Sequence, residues 1–255
     1  MIDSHCHLEQ PPFSEDRDEI IQKCKEAGLK AVVTCCASPK DFELTMEIVR
    51  KHRNFVFATV GIHPEFIKDV SNEEKEDILK KIEQNQDDIK AIGEVGLDKY
   101  WIKEEKWLRK QQELFIEMIE FAKKLKKPLV IHSRNAYLDT VEILEKENAE
   151  RVLMHMFGDK NLVERVIENG WFISMNAIVL RSKTHRKIIK KAPIEKILLE
   201  TDSPWLHPSG SGRNDPTSIQ VVAEKIAQLK HLDFETVWRQ CGKNAKEFFK
   251  LPVKI

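Results

Sequence analysis

Ile2-Asp3-Ser4-His5-Cys6-His7 is a short, largely apolar run that ends in two histidines separated by one residue. On an extended strand, residues two apart project to the same side. The two imidazoles therefore form a ready chelate for a metal ion, and Cys6 between them faces the other way. No glycine-rich phosphate loop follows this early strand, as it commonly does in a doubly wound open sheet. The run instead reads as the first of a series of parallel strands, each delivering polar chemistry at its C-terminal end.

Seven later runs repeat the theme: Ala31 to Cys36, Phe55 to Ile62, Ala91 to Leu97, Leu129 to Ser133, Val152 to Met156, Trp171 to Met175 and Ile197 to Thr201. Helical stripes alternate with them. Ile20, Cys24 and Ala27 form one, Leu108, Phe115, Ile119 and Ala122 a second, and Ile219, Val222, Ile226 and Leu229 a third. Ser71 and Glu74 form a capping box ahead of Ile78, Leu79 and Ile82, and a last helix starts at Phe234. Eight strand–helix units in 255 residues predict an α/β protein of the (β/α)8 TIM-barrel class. No linker, low-complexity block or repeat divides it, so residues 1–255 are read as a single domain.

Composition narrows the function classes. The chain is 41% hydrophobic and 33% charged, which excludes disorder, and no apolar stretch approaches the ~20 residues of a membrane span. The first residues do not have the pattern of a signal peptide. Lys plus Arg and Asp plus Glu both number 42, so no global field attracts nucleic acid, and any polyanion must be held locally. Cys6, Cys24, Cys35, Cys36 and Cys241 are odd in number and lack CxxC spacing. They read as reduced, mostly buried thiols of a cytoplasmic protein with no obligate protein partner.

In a barrel, the C-terminal strand ends converge on one mouth, where the chemistry sits. His5 and His7 end the first strand, Glu94 lies in the fourth, His132 closes the fifth, His155 closes the sixth and Asp202 follows the eighth. Four imidazoles and two carboxylates suffice for two divalent ions with one carboxylate bridging. Any one of the six has an ordinary structural reading as a hydrogen-bonded group; their shared strand-end register favours a common metal site. Zn, Mg, Mn and Ni are not distinguished by these ligands.

His63 ends the third strand in Gly61-Ile62-His63-Pro64 and reads as a substrate or transition-state contact. Arg134 could hold an anionic group through its planar fork, or form a surface salt bridge. Arg213 and Asn214 either order the last loop or touch substrate. Tyr100, Trp101 and Trp205 lie on loops beside the mouth, where aromatics can stack on bases, although Trp101 reads as packing its loop down. His52, His185 and His231 read as surface residues, and His207 gains no role from its spacing.

The strings DSHCHL, GIHP, IGEVGLD, IHSRNA, HMFG, LLETDSPWL, RNDP and GKNA, in that order along the whole chain, closely resemble the TatD family of metal-dependent deoxyribonucleases. The resemblance implies that His5 and His7 hold one metal with Asp202, that His132 and His155 hold the other, and that Glu94 bridges. It also implies that His63 contacts substrate. The expected reaction is two-metal hydrolysis of DNA phosphodiester bonds, 3′ to 5′ and preferentially on single strands. Asp202 would serve as base, with Glu94 and His63 also in the catalytic set and His63, Arg134 and Asn214 holding substrate. Two local departures, Asp98-Lys99-Tyr100 and His155-Met156-Phe157-Gly158, touch no implied ligand and leave substrate preference open. Hydrolysis of a small ester, lactone or amide is the alternative reading, and a non-enzymatic metal-binding scaffold a third.

Overall fold

The computed structural model describes all 255 residues. Eight strands form one sheet in sequence order: β1 Ile2–Cys6, β2 Ala31–Cys36, β3 Val56–Val60, β4 Ile89–Asp98, β5 Leu129–Arg134, β6 Val152–Met154, β7 Phe172–Met175 and β8 Ile197–Leu199. All seven neighbouring pairs are parallel. Nine helices surround them: α1 Arg17–Glu26, α2 Phe42–Lys51, α3 Asn72–Gln84, α4 Glu105–Leu125, α5 Tyr137–Lys146, α6 Val163–Glu168, α7 Lys183–Lys191, α8 Ile219–Lys230 and α9 Phe234–Phe249. The result is the expected (β/α)8 barrel in one domain. No helix is long and apolar enough to cross a membrane.

The strands are buried on both faces, which is why they read as nearly continuous apolar runs rather than alternating ones. Inside the barrel, Ile2, Ala31, Val33, Phe57, Ala91, Val130, Leu153 and Leu198 pack together, and Phe248, Phe249 and Leu251 complete that cluster. A second, larger core fills the space between strands and helices. The two layers leave the polar side chains only one common exit, the C-terminal strand ends.

Departures from strict alternation aim the side chains. The β1–β2 pairing slips between Asp3 and Cys6, and the β4–β5 pairing slips between Ile92 and Val95. Ile2 and His5 are an odd number apart, as are Ala91 and Glu94, so an unbroken strand would turn them to opposite faces. The irregularities let the apolar member fill the interior while the polar one faces the mouth, a common use of bulges near active sites. Gly96 makes the β4 geometry possible. Its φ is 144°, and a Cβ there would lie 2.0 Å from the His132 carbonyl oxygen.

The seam between β1 and β8 closes beyond the strands proper. Asp202 N donates to His5 O at 2.9 Å and His7 N to Ser203 O at 2.7 Å. Asp3, fully buried, accepts from Thr201 N and Thr201 Oγ1 at 3.1 and 2.6 Å, and Ser4 Oγ donates to Leu199 O. Thus β8 is shorter than its apolar run suggested. Its last residues leave the ladder to bind β1, and this places Asp202 (φ 57°) over the mouth. β6 likewise stops at Met154, one residue before His155.

Candidate metal centre

The six residues expected to hold metal meet at the mouth although they span residues 5 to 202. His5 Nε2 lies 3.1 Å from His7 Nε2, 3.6 Å from Asp202 Oδ1 and 3.4 Å from Glu94 Oε2, and His7 Nε2 lies 3.4 Å from Asp202 Oδ1. The other Glu94 oxygen faces a second group. Its Oε1 is 2.7 Å from His132 Nδ1, 3.6 Å from His63 Nε2 and 3.8 Å from His155 Nε2. Ligands bound to one ion at about 2.1 Å stand about 3.0–3.5 Å apart, a spacing that the His5, His7, Asp202 and Glu94 atoms approach, so the donor set suits divalent metal. His155 groups with His5 and Asp202, its ring stacked on His5 with centroids 3.9 Å apart, and reaches toward Glu94 from that side. His63 lies with Glu94 and His132 at the centre itself. Cys35 also approaches His5 and His7, and burial pushes its thiol well above the usual range in the metal-free protein.

The outer nitrogens of these rings are held by acids that sequence reasoning missed. His132 Nε2 lies 2.9 Å from Asp98 Oδ2, His155 Nδ1 lies 2.9 Å from Glu200 Oε2, and His7 Nδ1 lies 3.3 Å from Glu9 Oε1 and 3.0 Å from the Cys35 carbonyl. Such partners fix the tautomer and orientation of a ligating imidazole. Glu200 is fully buried and also accepts from Met156 N and Asn176 Nδ2, so it cannot turn away. The sequence offered only a partial signal: Glu9, Asp98 and Glu200 lie two to four residues from His7, Glu94 and Asp202, but the rings that Asp98 and Glu200 hold come from distant segments.

The charges reinforce one another. Burial alone would lower the basicity of His132 and His155, but Asp98 and Glu94 bring the first up to about 9, and Glu200 and Glu94 bring the second up to about 10. Burial would raise the Glu94 carboxyl, yet His63, His155 and His5 hold it well below the usual range. His63 is pushed down to about 3, by burial first and then by His132. Five carboxylates thus press on five imidazoles, an arrangement that bound cations would balance.

A cavity of about 610 Å³ opens above the centre. Arg134 lines it without a carboxylate within 4 Å, its guanidinium carbon 3.7 Å from the centre of the Tyr100 ring, so no surface salt bridge forms. Trp101 does not pack its loop down as expected; it is 58% exposed and lines the cavity, with Trp205, 52% exposed, also on the lining. Asn214 is corrected from substrate contact to loop anchor. It is fully buried, donates to Thr201 O at 3.1 Å and does not reach the cavity. Arg213 pairs with Asp16 and also orders the loop. His185 is not a surface residue but half-buried, with its Nε2 unpaired. All five thiols are free and buried.

Comparison with known proteins follows the same lines. Residues 2–250 match the family model described as TatD related DNase. The human deoxyribonuclease TATDN3 is 34% identical over 258 residues, covering 98% of this chain and 94% of that protein. The metal-dependent hydrolase YabD of Bacillus subtilis is 32% identical over 98% of this chain and 99% of its own length. Among solved structures, the TatD homolog YJJV of Escherichia coli superposes with a TM-score of 0.92 at 25% identity, covering 99% of this chain and 98% of that one.

Proposed function

The chain belongs to the family of TatD related DNases, whose model spans nearly all of it, and from that premise we propose that it removes nucleotides from the 3′ end of single-stranded DNA by two-metal hydrolysis. It is a metal-dependent hydrolase of that family. The observation that carries the two-metal part of this reading is the placement of Glu94, whose two oxygens face two separate sets of donors. In this reading His5, His7 and Asp202 would hold one ion and His132 and His155 the other, with Glu94 offering one oxygen toward each set.

A divalent pair, when bound, supplies an acidified water and neutralises charge on a phosphoryl oxygen. The residues do the rest. Asp202 is ionised, since the nearby imidazoles outweigh its burial and lower its carboxyl, and it accepts the proton released by the attacking water. Asp98, Glu200 and Glu9 keep the ligand rings from rotating. His63 Nδ1 accepts from Glu65 N at 3.2 Å, which leaves the proton on Nε2, directed at the centre. That tautomer suits a donor to a phosphate oxygen better than a metal ligand. Arg134, braced on Tyr100, offers its fork to the same phosphate, and Trp101 and Trp205 offer faces to unstacked bases.

The test is a 5′-labelled single-stranded oligonucleotide with protein loaded in turn with Mg, Mn, Zn or Ni. Progressive shortening from the 3′ end is expected. Glu94→Gln should lower turnover at least ~1000-fold while the circular dichroism spectrum is unchanged. Turnover of neutral esters with no DNA product under any metal would overturn the reading.

A further inference from the structure

The segment Arg181 to Lys191 carries six of the chain's 42 cations and none of its 42 acids, so the remaining residues bear a net charge of −6. Within α7 the spacing is regular. Lys183, Arg186, Lys187 and Lys190 follow an i, i+3, i+4, i+7 pattern, which places them on one helix face. Ile188 and Ile189 are fully buried on the opposite face. Lys183, Lys187 and Lys190 are exposed, and their side chains have no hydrogen-bond or ion-pair partner; only Lys191 in this segment meets an acid, Glu164 at 3.3 Å.

This stripe starts at the mouth. Ile178, in the turn just before α7, lines the cavity over the metal centre. Arg181 donates to the carbonyls of His207 and Pro208 at 3.1 Å, in the same loop that places Trp205 and Leu206 on the cavity wall. From there the helix runs back along the barrel, so the cationic face is continuous with the rim.

We propose that the outer face of α7 is a track for the sugar–phosphate backbone of single-stranded nucleic acid, holding the part of the strand that extends beyond the cavity. The proposal rests on the DNase reading above. The stripe from Lys183 to Lys190 spans about 10 Å at 1.5 Å per residue, enough for about two or three phosphates of an extended strand. An acidic membrane is the less suitable partner, because the apolar side of α7 is spent on the barrel core and cannot enter lipid. The overall neutrality of the chain fits a local track: attraction concentrates beside the centre instead of over the whole surface.

The experiment compares metal-loaded wild type with the triple variant Lys183→Gln, Lys187→Gln, Lys190→Gln and its Lys→Arg counterpart. A control replaces Lys123, Lys126 and Lys250 with Gln, removing the same charge around a basin at the far end of the barrel. Binding is read by anisotropy of a phosphorothioate 20-mer, which resists hydrolysis, and cleavage is read on an ordinary 20-mer and a dinucleotide. The α7 Gln variant should bind the 20-mer roughly ten- to a hundred-fold more weakly at 0.1 M salt, and its log–log salt slope should flatten by about 0.7 for each phosphate that is no longer neutralised. Its KM for the 20-mer should rise while dinucleotide hydrolysis stays unchanged. The Arg and far-end variants should behave as wild type. Equal weakening in the far-end variant, or none in the α7 variant, overturns the track. Absence of DNA cleavage by every protein, with α7-dependent binding intact, would sink the nuclease reading and leave the track standing. Tighter α7-dependent binding to phosphatidylserine vesicles than to the 20-mer would reassign the face to membranes.

Discussion

Asp98 is not itself an expected ligand, and its stretch of sequence is expected to touch none, yet its Oδ2 meets the expected ligand His132 and sets the orientation of that ring. Oδ1 accepts from Tyr100 N and Trp101 N at 2.7 and 2.8 Å, leaving Oδ2 for His132 Nε2. In Asp98→Asn the backbone donors retain the amide oxygen, so the NH2 group meets the ring nitrogen and favours the wrong tautomer. Metal affinity should fall about 10- to 100-fold with the fold intact, measured by competition with a chromophoric chelator. An unchanged affinity would remove Asp98 from the site. The raised basicity of His132 and His155 makes a second expectation. Both rings carry protons in the metal-free protein at neutral pH, and ligation must expel them. Their folded values exceed the unfolded ~6.5, so the stabilisation they give the metal-free fold is complete below ~6.5 and is lost as pH rises through about 9 to 10. Apparent metal affinity should therefore climb over that window. Calorimetry at pH 7 in buffers of different ionisation enthalpy should show proton release; a heat independent of buffer would contradict it. At this scale the sequence displayed the ligands, because a histidine or acid ending an apolar run is conspicuous. It concealed their partners, because Asp98 and Glu200 gain meaning only from chain segments dozens of residues away.

At the scale of elements, each polar side chain that faces the mouth depends on a local break in regular structure. Gly96 is the sharpest case. Alanine there would combine a φ of 144° with a Cβ 2.0 Å from backbone that cannot yield without pulling β4 from β5. Gly96→Ala should destabilise the protein by at least ~3 kcal/mol, with a comparable loss of metal uptake, read by urea denaturation. A cost below ~1 kcal/mol would mean that β4 and β5 can separate freely. The strands themselves were legible from their apolar runs, and the Ser71–Glu74 capping box formed as expected at the start of α3. Their ends were less so. β6 and β8 finish two residues earlier than the runs implied, since apolarity reports burial and not which partner a backbone amide has. Trp101 misled for a related reason: a large aromatic on a loop is normally buried by it, and only the fold shows that this one borders a cavity.

The whole molecule ties its most distant segments together at one place. Metal bound at the centre would join residues from β1, β4, β5 and the stretches after β6 and β8, so chelation should weaken the assembled barrel more than any one strand. At a free metal concentration of about 100 Kd the linkage amounts to about 2.7 kcal/mol, or roughly 5–10 °C in Tm for a chain of this size. Calorimetry before and after dialysis against EDTA measures it; a Tm unmoved by removal of stoichiometric metal would argue that the ions bind folded and unfolded chain alike. The seam has one more effect, which concerns synthesis. Asp202 N bonds to His5 O, and Thr201 to Asp3, across nearly 200 residues. A ribosome making this chain therefore finishes about four-fifths of it before the first and last donors can meet. Until then the growing polypeptide lacks Asp202 and the seam to the first strand, so the complete set of donors can come together only after translation has passed the eighth strand.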